Sequence, residues 1–322
     1  MTEPSFQVAA PRSTPVANPL FEYLLRLGDD RLVLGHRLSE WCGHGPILEE
    51  DIALSNMALD LIGHASSLLA LAGEIEGQGR DADALAYFRE AVTFRNALLV
   101  EIPNGDFAVT IVRQFLFDAY SVLLWDALSR CEHEGLAAIA AKSLKEDKYH
   151  LRHSSEWVVR LGDGTDESHA RAQQALDTLW RFTGELFDHD AVDDAVAAEA
   201  FIAIDHDALY SLWLTMVKDV VQRATLTLPT DAAMRRGGRR GFHTESLGHM
   251  LATMQIREFK RFLAAGVMVL SLAGCDSVTD VMDIFGKSKA PLPGERVAVF
   301  ADRSELEPDK DMANVQVVLP AP

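Results

Sequence analysis

Apolar residues recur along most of the chain at the three- and four-residue steps of an α-helix. Leu54, Leu61 and Leu68 share one helical face, and Leu144, Leu151 and Val158 share another in a later segment. Residues 19–262 contain no run of the alternating pattern that marks a half-buried strand. The pattern therefore predicts an all-α domain. Helices are expected at about residues 19–41, 48–74, 83–101, 107–132, 142–164, 166–187, 206–227 and 242–262.

The connections between these segments are short and rich in glycine, proline and aspartate. Examples are the turns at residues 43–46, 77–79, 103–106 and 162–165. Short loops between long helices favour antiparallel packing of neighbours, which predicts an antiparallel helical bundle with additional helices. We expect a disordered N-terminal tail at residues 1–18, the helical domain at 19–262 and an atypical extension at 263–322.

The residue composition at the start of the extension differs from that of the predicted helices. Three basic residues at 257, 260 and 261 precede an apolar run at 262–273, which leads to Leu272-Ala273-Gly274-Cys275. This segment resembles a bacterial lipoprotein signal, and residues 291–299 resemble the mature N-terminus of an outer-membrane assembly lipoprotein. Two interpretations stay open: a fused or composite reading frame, whose Cys275 would be a lipid anchor if it were processed, or a helix packed on the bundle and followed by a loose tail.

The charge of the chain narrows the choice of partners. A formal net charge of −18 disfavours binding to nucleic acid or to an anionic membrane surface. The local exception is a loop with arginines at 235, 236, 239 and 240, which is either a solvated loop or a site for phosphate or an acidic partner. Cys42, Cys131 and Cys275 form no Cys-x-x-Cys pair, so no disulfide framework is indicated and a cytoplasmic protein is expected.

Acidic and histidine side chains on the predicted helices suggest the ligand set of a di-iron carboxylate bundle. Such a centre takes one Glu from each of two helices and a Glu-x-x-His pair from each of the other two. Asp147 and His150 have that three-residue spacing, but Asp60 and His64 are four apart. The full set of candidates, called here the vestigial set, is Glu40, Asp60, His64, Asp118, Asp147 and His150.

The spacing favours a lost metal centre over a working one, because only one of the two pairs is in register. Buried acids without a metal must be paired or protonated. We therefore expect ion pairs Asp60–His64 and Glu146–His150, and neither a metal nor a cofactor in this chain.

Several short sequence motifs together resemble those of the C subunits of bacterial ring-1,2-phenylacetyl-CoA epoxidases, also called phenylacetyl-CoA oxygenases. They span about residues 19–256 and occur in the family's order. They are RLGD (26–29), LSEWCGH (38–44), LDLIG (59–63), VEIPNGDF (100–107), KE (145–146), YHLR (149–152), LWRFT (179–183), ELFD (185–188), HTE (243–245) and LG (247–248).

The resemblance implies a ferritin-like fold and a non-catalytic role. In that family the C subunit stabilises an iron-bearing catalytic A subunit, and a small B subunit and a reductase complete the system. The complex epoxidises the ring of phenylacetyl-CoA, and di-iron is expected in the partner. The alternative is an autonomous di-iron oxygenase that uses the vestigial set.

Overall fold

A computed structural model describes residues 18–199, 202–230 and 233–255. All of these lie within the unit Met1–Arg261. The predicted extension at 263–322, the lipoprotein interpretation and Cys275 therefore lie outside the described residues. So does the predicted tail, except for Asn18.

The described residues form helices joined by turns, and none of them belongs to a β-strand. Side-chain caps fix several helix starts: Asn18 accepts the backbone N–H of Phe21 at 3.1 Å, and Asp106 accepts that of Val109 at 3.0 Å. The helices are α1 Pro19–Ser39, α2 Leu48–Glu76, α3 Ala82–Tyr87, α4 Leu98–Glu101, α5 Phe107–Leu128, α6 Glu134–Gly162, α7 Asp166–Leu179, α8 Ala191–Glu199, α9 His206–Arg223 and α10, residues 245–255.

Four long helices, α1, α2, α5 and α6, make the bundle. Helix α1 packs along α2, α5 packs along α6, and α2 also contacts α6. Helices α7 and α9 cover α5 from outside. The centre is filled by large side chains that are fully buried, among them Trp125, Phe115 and Leu34. The predicted all-α, ferritin-like bundle with additional helices is confirmed.

Helices α2 and α5 are both long and apolar enough to cross a membrane by length and composition alone. In α5, 83% of the apolar window is buried in the bundle, which is the condition of a core helix. In α2 the buried share is only 44%. Helix α2 therefore carries apolar surface that the described residues do not cover.

The single helix predicted for residues 83–101 is wrong. Helix α3 ends at Tyr87, a 3₁₀ turn follows at Ala91–Thr93, and α4 starts at Leu98. Two carboxylates of α1 hold the backbone between them: Asp29 accepts the N–H of Arg95 at 2.8 Å, and Asp30 accepts that of Ala97 at 2.7 Å. These long-range bonds take N–H groups that a continuous helix would have used.

Other boundaries also differ from the prediction. Helix α6 starts at Glu134 rather than 142, because the ring of His133 accepts the N–H of Leu136 and caps it. The predicted helix 166–187 stops at Leu179 and continues as two 3₁₀ turns. Helix α8 was not predicted, since its nine residues are too few for a clear periodic pattern.

Candidate functional site

A polar cluster lies between the four bundle helices, and we call it the central cluster. Helix α2 contributes Asp60 and His64, α5 contributes Asp118, and α6 contributes Asp147 and His150. Five residues of the vestigial set thus come together as the sequence predicted. The sixth, Glu40, does not join them.

The imidazole–carboxylate partners in the central cluster are exchanged relative to the predicted ion pairs. His64 Nε2 lies 2.6 Å from Glu146 Oε2, and His150 Nε2 lies 3.2 Å from Asp60 Oδ2. Each pair therefore joins α2 to α6 instead of linking two turns of one helix. Side chains four apart share one face of a helix, and here that face of α2 meets α6, where each imidazole finds a carboxylate of the other helix.

A third pair was not predicted from the sequence. His153 Nε2 lies 2.8 Å from Glu50 Oε2, again between α6 and α2. Going along α2 through positions 50, 60 and 64, the partners on α6 run backwards through 153, 150 and 146. The three pairs fix an antiparallel register between the two helices.

Asp147 is the acceptor at the middle of the cluster. Its Oδ2 accepts from Ser121 Oγ at 2.5 Å and from Trp125 Nε1 at 2.8 Å. Its Oδ1 faces the Nδ1 atoms of His150 and His64 at 3.3 and 3.8 Å. Burial works to raise the pKa of Asp147, but the hydrogen bond and charge of His150 and the nearby charge of Arg31 lower it to about 2.

The two histidines differ in charge. Burial lowers the pKa of His64, and the neighbouring carboxylates do not fully offset this effect. Burial acts in the same direction on His150, but its bonds to Asp147 and Asp60 and the charges of Asp147 and Asp118 raise its pKa to about 10. At neutral pH His150 is therefore a cation held between two carboxylates, and His64 is neutral.

Arg31 of α1 supplies a second buried cation, which was not among the residues predicted from the sequence. It is fully buried, donates to Ser121 Oγ at 2.9 Å, and lies 4.2 Å from the ring centroid of Trp125. Burial lowers its pKa, and the charges of Asp30 and Asp147 oppose that effect. A signal was present: Arg31 interrupts the apolar stripe of α1 that contains residues 24, 27, 34 and 38.

Glu40 lies elsewhere, which corrects its place in the vestigial set. It is the residue after the last turn of α1, and its side chain is 44% exposed. Its two oxygens accept from Arg37 Nη1 and Asn104 Nδ2, both at 2.9 Å. The carboxylate fastens the end of α1 to the loop before α5.

The residues of the central cluster do not fit a di-iron centre. The helix α1 position that faces the cluster holds a guanidinium where such a centre needs a carboxylate. Both oxygens of Asp118 and one of Asp147 already accept hydrogen bonds from protein donors. The remaining oxygen, Asp147 Oδ1, lies 3.3 and 3.8 Å from the Nδ1 atoms of His150 and His64, so it faces buried imidazoles beside the guanidinium of Arg31.

Comparison with known proteins shows the family of the chain. The model of a family described as phenylacetic acid catabolic protein matches residues 7–261. The chain belongs to that family. It is 51% identical over 238 residues to the C subunit of the 1,2-phenylacetyl-CoA epoxidase of Escherichia coli (strain K12), and the alignment covers 74% of this chain and 95% of the relative. The resemblance predicted from short sequence words is confirmed.

Asp118 is the carboxyl that α5 contributes to the central cluster. It accepts from Gln114 Nε2 and Ser154 Oγ, both at 2.7 Å, and is almost fully buried. Burial raises its pKa to about 7, although the charge of His150 works against the shift. The carboxyl is therefore partly protonated at neutral pH.

We expect Asp118→Asn to leave the protein equally or more stable at pH 8. Because the folded pKa lies above the ordinary 3.8, this group's contribution is full below pH 3.8 and is lost as pH rises through 7. The side-chain amide of asparagine has the shape of the protonated carboxyl but cannot ionise. The variant therefore does not lose stability as the pH rises through 7. Urea unfolding between pH 4 and 8 measures it, with Asp126→Asn, an exposed acid of the same helix, as control. A variant with the same pH slope as the wild type would contradict this assignment.

The arginine loop at 235–240 is partly tied into the fold, through Arg236 and Arg239. Arg239 donates to Asp30 Oδ2 at 2.8 Å and to the backbone oxygens of Arg26 and Arg95. Arg236 Nε bonds Asp188 at 2.7 Å. Arg239 is therefore held inside the fold, whereas Arg236 is bonded to Asp188 but keeps a side chain that is 49% exposed.

Proposed function

We propose that this chain is the non-catalytic structural subunit of a multicomponent oxygenase that epoxidises the ring of phenylacetyl-CoA in aerobic phenylacetate catabolism. The observation that carries the proposal is the 51% identity to the C subunit of an epoxidase, which extends over 95% of that relative. An alignment over nearly the whole relative supports a shared role better than a match of one motif would.

The non-catalytic part of the proposal is supported by the central cluster. Its acids and imidazoles are bonded to one another and to Ser121, Trp125 and Gln114. A buried guanidinium occupies its α1 side. We propose that this chain holds no iron, and that the di-iron centre and the chemistry belong to the catalytic A subunit. The small B subunit and the reductase complete the assembly, in the cytoplasm, and phenylacetyl-CoA is handled by the complex as a whole.

The exposed face of α2 supports a role as a subunit. Exposed positions along this helix recur at steps of four and three residues, so they form one stripe. Between residues 52 and 70 this stripe contains no charged residue. Its members are Ile52, Asn56, Leu59, Gly63, Ser66 and Ala70.

Exposed apolar side chains on an uncharged face are solvated unfavourably by water. Such faces are typical of surfaces that pack against another chain. Ile52 and Leu59 are 53% and 50% exposed in the structure. We propose that this stripe is where the catalytic subunit docks.

Co-expression with the catalytic subunit, followed by separation and iron analysis of each chain, tests the proposal. The wild-type chain is expected to purify with its partner, with all the iron on the partner. Leu59→Glu is expected to weaken the association at least tenfold, because it buries a charge in the interface. Leu212→Glu, at a residue of α9 that is 58% exposed, is the matched control and should bind normally.

Two results would overturn the proposal. Stoichiometric di-iron on the isolated chain, expressed with ample iron, would favour an autonomous oxygenase. Equal partner binding by the Leu59→Glu and Leu212→Glu variants would reject the α2 stripe as the docking surface.

A further inference from the structure

A second set of histidine and acidic side chains lies away from the central cluster. His189 precedes α8, Asp193 is in the first turn of α8, and His206 begins α9. Within the described parts of the chain, this is the one group of three whose possible metal-ligand atoms all lie within 4.8 Å of one another. We propose that these three residues form a binding site for a divalent transition metal of the zinc class.

The separation of the ligand atoms suits such a metal. His206 Nε2 lies 3.5 Å from Asp193 Oδ1, which is long for a hydrogen bond between these groups. Zinc bonds to nitrogen and oxygen are about 2.0–2.2 Å long, so two ligands of a tetrahedral site lie about 3.3–3.6 Å apart. The imidazole rings of His189 and His206 have centroids 5.3 Å apart and planes at 82°, so neither ring blocks the other.

Outer contacts already orient two of the three ligands. Asp193 Oδ2 accepts the backbone N–H of Asp190 at 3.0 Å and lies 3.6 Å from Arg26 Nη1, which leaves Oδ1 turned to His206. The His189 ring lies 2.8 Å from Asp194 Oδ1 through its Nε2. Carboxylates that hold a metal-binding imidazole are a usual feature of zinc sites.

The local charges help to choose the metal. Arg26 and the N-termini of α8 and α9 oppose a cation, although Arg26 is engaged by Asp190 at 2.7 Å. A hard ion such as Mg²⁺ prefers oxygen ligands and would gain little from two imidazoles. Zinc-class ions bind imidazole strongly, so two nitrogens and one carboxylate favour them.

The site adjoins a cavity of about 290 Å³, which His189, Asp193 and His206 help to line. Three protein ligands leave a fourth position, and the cavity gives water access to it. A bound metal would join His189, two residues before α8, to His206, the first residue of α9. It would thus fix α8 to the start of α9.

Titration of the metal-free full-length chain with Zn²⁺, monitored by calorimetry, tests this inference. We expect one zinc per chain and a rise of the melting temperature with zinc. His206→Gln should weaken zinc binding at least tenfold and abolish the thermal shift. His249→Ala, which removes an exposed histidine beside Glu245, is the matched control and should change neither. Co²⁺ in place of Zn²⁺ should give the visible absorption of a low-coordinate nitrogen and oxygen site only when His206 is present.

The outcomes are distinguishable even if a variant folds poorly. Circular dichroism without metal shows whether the His206→Gln variant is folded, and Asp193→Asn gives a second removal of a ligand. Absence of stoichiometric zinc on the wild type would overturn the proposal. So would zinc that persists unchanged in both variants, since that metal would be bound at the central cluster or elsewhere.

Discussion

Replacing Arg31 by methionine is expected to lower the free energy of unfolding by about 3–5 kcal/mol, the usual cost of removing one partner from a buried charge network. The guanidinium is fully buried, bonds Ser121 Oγ at 2.9 Å, and lies 3.8 Å from Asp30 Oδ2. Its removal leaves Asp147 with less positive charge nearby. Methionine fills much of the same volume, so the loss reflects charge and hydrogen bonding more than an empty cavity.

Urea unfolding at pH 7 measures the change. Arg130→Met is the matched control: this arginine pairs with Asp126 at 2.7 Å, but the two side chains are 64% and 52% exposed. An exposed pair of this kind contributes no more than about 1 kcal/mol. If the two variants lost similar stability, the central cluster would not depend on the guanidinium of Arg31.

The same arginine shows how far sequence reasoning reaches. The membership of the central cluster was predictable, because helical periodicity decides which side chains share a face. The hydrogen-bond partners within the cluster were not predictable from the sequence. Whether His64 pairs with Glu146 or with Asp60 depends on how α2 and α6 are aligned. Arg31 was open to prediction, since a charge in the apolar stripe of α1 must be buried with partners.

The break within the helix predicted at 83–101 could not be predicted from the residues of that segment alone. It depends on Asp29 and Asp30, which lie more than 60 residues earlier and accept N–H groups of Arg95 and Ala97. The possible metal ligands around α8 were hidden for a similar reason. His189 and His206 are far apart in sequence, and only the fold brings their rings together.

Replacing Asp147 by asparagine is expected to cost about 3–5 kcal/mol at pH 7, because it leaves protonated His150 and Arg31 without their shared buried anion. The side chain keeps its shape and keeps an oxygen for Ser121 and Trp125, so packing is largely preserved. The pKa of His150 should fall well below about 10, because burial lowers it and the strongest opposing group is gone.

The pH dependence distinguishes this cause from general damage. In the wild type the folded pKa of His150 lies above the ordinary 6.5, so its contribution is full below pH 6.5 and is lost as pH rises through about 10. The contribution of Asp147, whose folded pKa is about 2, is present above 3.8 and is lost as pH falls through 2. Between pH 6.5 and 10 the wild type should therefore lose stability more steeply than Asp147→Asn, and the two curves should converge.

Urea unfolding at several pH values from 6 to 10 measures both slopes. Glu156→Gln changes an exposed acid of the same helix, whose side chain is 56% exposed, and should follow the wild type throughout. Parallel curves for wild type and Asp147→Asn would mean that His150 is not held as a cation. The buried charges of the central cluster would then be fewer than its geometry indicates, and Arg31 alone would remain as the cation that opposes iron there.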